Sequence, residues 1–170
     1  MTPNGLDQLK LDEGCRLHAY PDPRSGGDPW TIGYGCTGAG IARGVVWTMA
    51  QAEAELAKRV QQVEAQLQHA LPWFAAFQHA ELARADVLVN MAYNLGVGGL
   101  MQFDRFLAAM KAGQWSGAVA AMRLSAWAGE VGDRARRLEA VVLAAPGPAQ
   151  VSAKTAQVSP SSSRTVEVDL

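Results

Sequence analysis

Two acidic residues and one threonine near the N-terminus have types and spacing that could support acid–base chemistry: Glu13, Asp22 and Thr31. Cleavage of a glycosidic bond needs one carboxyl group that protonates the leaving oxygen and a second carboxylate that stabilises charge, attacks, or activates water. Glu13 is the candidate acid, because a helix C-terminus and partial burial both favour a protonated carboxyl group. Asp22, in a polar and proline-flanked turn, should stay ionised, and the Thr31 hydroxyl can hold a water.

Each of these residues is also common in a purely structural setting. Aspartate is a frequent turn former, glutamate is typical of solvated helix surfaces, and threonine is ordinary in strands. Because paired carboxylates are frequent in proteins, the spacing alone does not establish a catalytic site. The elements that carry the three side chains therefore decide how the pattern is interpreted.

The surrounding residues predict a short helix followed by a β-hairpin. Asn4 can cap the helix and Gly14 can end it. Residues 16–20 alternate in polarity like a strand, and residues 30–34 form a second extended run. The connection between them, PDPRSGGDP at 21–29, is rich in turn formers. A helix end followed by a hairpin can fold the three candidate side chains towards one cleft.

The rest of the chain predicts further helices and a tail. Thr48 opens an amphipathic pattern that runs to about Leu71, with Gln51 at the spacing of a capping box. Shorter helical patterns follow, separated by glycine or proline breaks, and should form a helical second lobe. We expect an α+β, mainly α-helical domain at 1–145 and a flexible Pro/Ser/Ala-rich tail at 146–170. Within the domain, lobes at about 1–47 and 72–145 should be joined by helix 48–71.

Composition and charge exclude several classes of protein. A hydrophobic fraction of 49% supports a buried core, and a net charge of −1 does not favour nucleic-acid binding. Cys15 and Cys36 are more typical of buried free thiols than of a disulfide. The three histidines share no metal-ligand spacing, so we expect no metal and no other cofactor. Charges interrupt the N-terminal residues, and no stretch reaches the ~20 apolar residues of a membrane span, so we expect neither a signal peptide nor membrane insertion.

Longer sequence blocks carry a more specific signal. LDEGCRLHAYPDPRSGGDPWTIGYGCTG resembles the N-terminal region of phage endolysins of glycoside hydrolase family 24, with its E-G-x-R-L-x-A-Y-x-D and W-T-I-G-Y-G blocks in order. Further along, NMAYNLGVGGL resembles the family's N-x-G-x-G helix end, and SAWAGEVGDRARRLE its W…R-A-x-R segment. The resemblance covers about residues 5–145. It implies a lysozyme-like fold, in which a small lobe with a β-hairpin and a helical lobe flank a cleft.

The resemblance also implies roles for individual residues. By analogy Glu13 is the general acid, Asp22 the second carboxylate, and Thr31 a residue that helps to place the water. Arg134 falls where the family has an arginine beside the acid. The remaining candidates for substrate binding lie on the hairpin side and on the cleft-facing helix: Gly35, Thr37, Tyr93 and Asn94. Tyr93 could stack on a sugar face or belong to the core.

Two departures from the family pattern stand out. The loop between Asp22 and Thr31 is longer than in compact members, which makes Asp28 an alternative carboxylate. Cys36 stands where many members carry a histidine. That histidine is outside the acid–base pair, so we expect activity to persist while a stabilising ion pair is lost.

The implied activity is that of a muramidase, which hydrolyses the β-1,4 bond between N-acetylmuramic acid and N-acetylglucosamine in the glycan strands of peptidoglycan. In the better-known members water attacks opposite the leaving group. The implied biology is synthesis in the host cytoplasm, holin-dependent release to the periplasm, and host lysis by a monomer. One alternative is a lytic transglycosylase, although the presence of Asp22 and Thr31 argues against it. The other alternative is a catalytically silent peptidoglycan-binding module, or a lysozyme-like piece of a phage particle.

Overall fold

The computed structural model describes residues 1–21 and 26–144. Within these ranges the chain is mainly helical, with a small antiparallel sheet near the N-terminus, which confirms the predicted α+β lysozyme-like fold class. Asp22 and the predicted tail at 146–170 lie outside the described residues. The helices are α1 (Pro3–Glu13), α2 (Met49–Ala70), α3 (Phe74–Ala80), α4 (Leu82–Leu95), α5 (Val97–Leu100), α6 (Asp104–Lys111), α7 (Trp115–Arg123), α8 (Ala126–Val131) and α9 (Asp133–Ala144). The strands are β1 (Arg16–Tyr20), β2 (Thr31–Gly33) and β3 (Cys36–Thr37).

The first helix begins two residues earlier than the sequence predicts. Thr2 is the N-cap, and its hydroxyl accepts from the backbone N–H of Gly5 at 3.0 Å. Pro3 suits the first helical position, where a missing N–H costs nothing. The predicted cap at Asn4 is therefore wrong, whereas Gly14 does end the helix, with a φ of +65°. Glu13 is thus the last residue of α1.

The predicted hairpin is present, and a third short strand extends it. β1 pairs with β2, with Tyr20 opposite Thr31, and β2 pairs with β3, with Thr31 opposite Thr37. Ile32 and Cys36 are paired on the buried face of the sheet. Because alternate strand residues point to opposite faces and directly paired residues share one, Thr31 and Thr37 lie side by side on the other face.

The long connecting helix lies where its capping signal predicts. Thr48 and Gln51 form a capping box, in which the Thr48 hydroxyl accepts from the Gln51 backbone and the Gln51 side chain accepts from the Thr48 N–H. The helix buries one face, which consists of Ala52, Leu56, Val60 and Leu67. This face packs on α4 and on the sheet, so α2 connects the two parts of the molecule.

Helix α4 is the central element of the fold. It contacts α1, α2, α3, α5 and α9, and residues 84–92 are all buried. Its buried polar groups bond to neighbouring helices: Asp86 accepts from Thr2 in α1's cap, and the Arg84 Nε–H donates to the Val142 carbonyl of α9 at 2.9 Å. A third polar residue of α4, Asn90, connects both helices at once and leads to the candidate site. No helix in the described part of the chain combines the length and apolarity needed to cross a membrane.

Candidate active site

Glu13 lies at the end of α1 with its carboxyl group held from across the molecule. Arg134, in the first turn of α9, donates from NH1 to Glu13 Oε1 at 2.9 Å. The two residues are 121 positions apart in the sequence. The Glu13 side chain is 17% exposed and that of Arg134 only 7%, so the contact is largely shielded from water. A charge-assisted bond in such a setting is stronger than one at the surface.

Asn90 fixes the orientation of Arg134. The Arg134 Nε–H donates to Asn90 Oδ1 at 2.9 Å, and NH2 donates to the Asn90 backbone carbonyl at 3.0 Å. A guanidinium group presents its donors in a rigid planar fork. Because Nε and Nη2 both donate to Asn90, the plane of the group is fixed, and Nη1 points towards Glu13.

Asp12 completes this arrangement, and sequence reasoning missed it. Its side chain is fully buried, and Oδ2 accepts from Asn90 Nδ2 at 2.9 Å. Oδ1 accepts from Gln8 Nε2 at 2.9 Å and from Arg137 NH2 at 2.5 Å. We call Asp12, Glu13, Asn90, Arg134 and Arg137 the Arg134 cluster. It contains two acidic and two basic side chains.

A faint sequence signal for Asp12 exists. Residues three and four apart share a helix face. Gln8 therefore lies beside Asp12, and Arg134 lies beside Arg137. That Asp12 faces the α9 arginines, however, depends on how α1, α4 and α9 pack, which no local pattern encodes.

The second oxygen of Glu13 lies on the side of the turn between β2 and β3. A methyl group added at Gly35 would lie 3.9 Å from Oε2, which is ordinary van der Waals distance. Gly35 is exposed and has a φ of +78°, a conformation that favours glycine. The carboxyl group thus has one oxygen fixed by Arg134 and the other next to an exposed backbone that a ligand could approach.

Thr31 and Thr37 lie on the same face of the sheet, as the register shows, with Thr31 half-buried and Thr37 exposed. Asp22 lies outside the described residues, so its role as second carboxylate stays a prediction. The nearest described strand residue before it, Tyr20, is paired with Thr31. Asp28 lies in the described part of the connecting loop and precedes a cis proline, Pro29.

Comparisons with known proteins place the chain in a family. A family model described as phage lysozyme matches residues 10–141, a range that includes Glu13 and the whole Arg134 cluster. This chain belongs to the phage lysozyme family.

Two kinds of curated relative are similar to it. Endolysins of Lactococcus phages c2 and phivML3 are each 36% identical over 96 residues, which is 56% of this chain and 39% of theirs. The pre-baseplate central spike protein Gp5 of Enterobacteria phage T4 is 30% identical over 163 residues, covering 81% of this chain and 27% of the spike protein. The chain therefore spans well under half the length of the curated relatives it matches.

Both substrate-binding candidates on α4, Tyr93 and Asn94, form hydrogen bonds within the protein. Tyr93 is half-buried, and its hydroxyl donates to the Tyr34 carbonyl at 3.0 Å. Asn94 is exposed, and its Oδ1 accepts from the indole N–H of Trp127 at 2.8 Å. Trp127 itself is 4% exposed and packs in the core. The structure therefore gives Tyr93 and Asn94 structural bonds, and their contact with substrate stays a prediction.

Cys36 occupies a buried position beneath the sheet, close to an arginine of the connecting helix. Burial raises the pKa of the Cys36 thiol, and the nearby Arg59 opposes that shift. Cys15 and Cys36 are both free thiols. Among residues 1–21 and 26–144 there is no group of three or more His, Cys, Asp or Glu side chains that could hold a metal ion.

Proposed function

We propose that this phage lysozyme hydrolyses the β-1,4 bond between N-acetylmuramic acid and N-acetylglucosamine in peptidoglycan, with Glu13 as the proton donor. The observation that carries the proposal is the bond from Arg134 to Glu13 Oε1. Arginine can only donate, so Oε1 must accept, and a proton on this carboxyl group belongs on Oε2. Oε2 is the oxygen next to the exposed Gly35. The acid proton would therefore face the side from which a sugar can approach.

The proposed reaction balances with three residues of this chain. Glu13 gives its proton to the glycosidic oxygen as the bond from that oxygen to the anomeric carbon breaks. Water attacks the anomeric carbon from the opposite face, and its proton passes to the carboxylate of Asp22. The Thr31 hydroxyl holds this water through its lone pairs. Solvent then returns a proton to Glu13 and removes one from Asp22, and the anomeric configuration is inverted.

The test compares two glutamate-to-glutamine variants on purified peptidoglycan. Glu13→Gln keeps the acceptor for Arg134 but has no acidic proton. We expect the rate at which new reducing ends appear to fall by about 10²–10⁴-fold. The matched control is Glu130→Gln, because Glu130 is exposed on α8. If Glu13→Gln releases reducing ends as fast as Glu130→Gln, Glu13 is not the acid.

The same digests separate hydrolysis from lytic transglycosylation. Hydrolysis adds one water to each cut, so mass spectrometry should find fragments with free reducing ends. Detection of anhydro sugars, which are lighter by one water for each cut, would instead show that the enzyme is a lytic transglycosylase.

The similarity to the central spike protein favours a second candidate, which is a lysozyme-like part of a phage particle. The match covers more of this chain than the endolysin matches do. As an endolysin, the chain should lyse expressing cells only when a holin is co-expressed, acting from the periplasm as a monomer. As a particle component, it should instead be found by mass spectrometry in purified virions. Binding to sacculi without release of reducing ends would identify a catalytically silent module.

A further inference from the structure

Two successive carbonyl groups in the turn between β2 and β3 are held by side chains from outside the sheet. The Tyr93 hydroxyl of α4 donates to the Tyr34 carbonyl at 3.0 Å. Arg59 of α2 donates from NH1 to the Gly35 carbonyl at 3.1 Å. Arg59 also lies near the Tyr93 hydroxyl, where its positive charge acts to lower the pKa of that group. We call Tyr34, Gly35, Arg59 and Tyr93 the turn clamp.

Few residues of the sheet flank the turn. β2 has three residues and β3 has two, so the strands on either side are short. The Tyr34 ring is buried and anchors one end, whereas Gly35 is exposed and has the positive φ given above. Glycine loses the most conformational freedom on folding, so an ordered exposed glycine requires bonds that hold it. The two donors supply such bonds.

The chemistry of the two donors suits this task. Burial raises the pKa of Tyr93 above its ordinary 10.0, although Arg59 opposes the shift, so the hydroxyl keeps its proton near neutral pH. Arg59 carries several donors, and one can serve Gly35 while another serves Tyr93. The clamp thereby joins the sheet, the connecting helix and the second lobe at one point.

We propose that Arg59 and Tyr93 are positioning residues, which hold the Tyr34–Gly35 turn at the distance from Glu13 Oε2 that the reaction needs. This role rests on the proposed function, because it concerns the geometry of proton transfer to the glycosidic oxygen. The turn borders the open side of Glu13 and so limits where a leaving oxygen can lie. Loosening the turn should therefore slow the chemical step more than it weakens binding by the rest of the cleft.

The test uses Tyr93→Phe, which removes the hydroxyl and keeps the ring. The control is Tyr20→Phe, because the Tyr20 ring packs under Arg16 at 4.5 Å and phenylalanine retains that contact. Net hydrogen-bond free energies predict that Tyr93→Phe lowers kcat on peptidoglycan by about three- to tenfold. KM should change by less than about twofold, as expected when an interaction matters only in the transition state.

Amide hydrogen exchange of the peptide that spans residues 33–37 gives a second readout, independent of activity. Tyr93→Phe should speed this exchange and Tyr20→Phe should not. The double variant Arg59→Met/Tyr93→Phe should lose less activation free energy, calculated from kcat, than the two single variants lose in sum. The effects should not add because the two side chains act on one turn.

Three outcomes decide the matter. Faster exchange together with a lower kcat supports the proposal. Unchanged exchange overturns the clamp, and faster exchange with an unchanged kcat overturns its positioning role. If the wild-type chain does not cleave peptidoglycan, the proposed function and the positioning role both fail, while the exchange result still judges whether the clamp holds the turn.

Discussion

Replacing Asp12 with asparagine tests whether the Arg134 cluster stabilises the fold. The substitution keeps the size and shape of the side chain but removes its charge and one acceptor. Asp12 is fully buried and accepts from Gln8, Arg137 and Asn90. Whichever way the new amide is oriented, its NH₂ group must face at least one of these donors. At least one donor then loses its acceptor, and the buried Arg134 loses one of its two acidic neighbours.

The expected loss follows from these contacts. A hydrogen bond to a charged group contributes about 1.5–3 kcal/mol, and breaking a buried ion pair by removing one partner costs about 3–5 kcal/mol. The upper figure is discounted because Arg137 is 45% exposed and Arg134 Nε lies 3.8 Å from Asp12. We therefore expect a loss of about 3 kcal/mol in the free energy of unfolding. For a chain of this size, that lowers Tm by about 6–12 °C.

The assay is urea unfolding followed by circular dichroism, with Asp133→Asn as the matched control. Asp133 pairs with Arg136 at the start of the same helix α9, but its side chain is 70% exposed. An exposed pair contributes little, so the control should lose no more than about 0.5 kcal/mol. If Asp12→Asn and Asp133→Asn have the same unfolding free energy, the buried network does not stabilise the fold as argued.

Three further predictions concern single sites. Gly35→Ala should cost about 1–2 kcal/mol of stability, because Gly35 has a positive φ. Gly98 in α5 has an ordinary φ and open space around it, so Gly98→Ala should stabilise the fold by about 0.4–1 kcal/mol. Thermal unfolding of both variants tests this difference in sign. Thr48→Ala should cost about 1 kcal/mol in urea unfolding by removing the α2 cap, and Thr48→Ser should restore it. Burial raises the pKa of Asp86 above its ordinary 3.8, although Thr2 opposes the shift. The folded state therefore holds this proton more tightly than the unfolded state does. The free energy of unfolding of the wild type, relative to that of Asp86→Asn, should fall as pH rises from 3.8 through the raised pKa. A constant difference between the two proteins across this range would contradict the prediction.

The elements with strong local signals could be predicted from the sequence. The capping box at Thr48 and Gln51 indicated where α2 begins, and the helix observed is Met49–Ala70. Gly14 ends α1 as expected, because glycine adopts the positive φ that the chain needs there. The three-strand sheet was only partly foreseen, since β3 has two residues and its pairing depends on the register with β2.

The site was less predictable than the elements that carry it. Glu13 stood out through its position at a helix end and through the family resemblance. Asp12 and Asn90 did not stand out, because an acidic residue on α1 and an amide on α4 acquire meaning only when three helices pack together. The Tyr93 hydroxyl bonds to a backbone carbonyl 59 positions away, and a side-chain bond over that separation leaves no local pattern in the sequence. The roles of Asp22, Thr31 and Thr37 stay predictions.

The 121 positions between Glu13 and Arg134 have a consequence for the order of synthesis. Glu13 leaves the ribosome early, but its arginine belongs to α9, the last described helix. Closing a loop of this length costs about 4 kcal/mol of chain entropy, which only the packed intervening helices can offset. A nascent or truncated chain that stops before α9 contains Glu13 but not the arginine that orients its carboxyl group. The orientation of Glu13 by Arg134 is therefore complete only after α9 has been translated and packed.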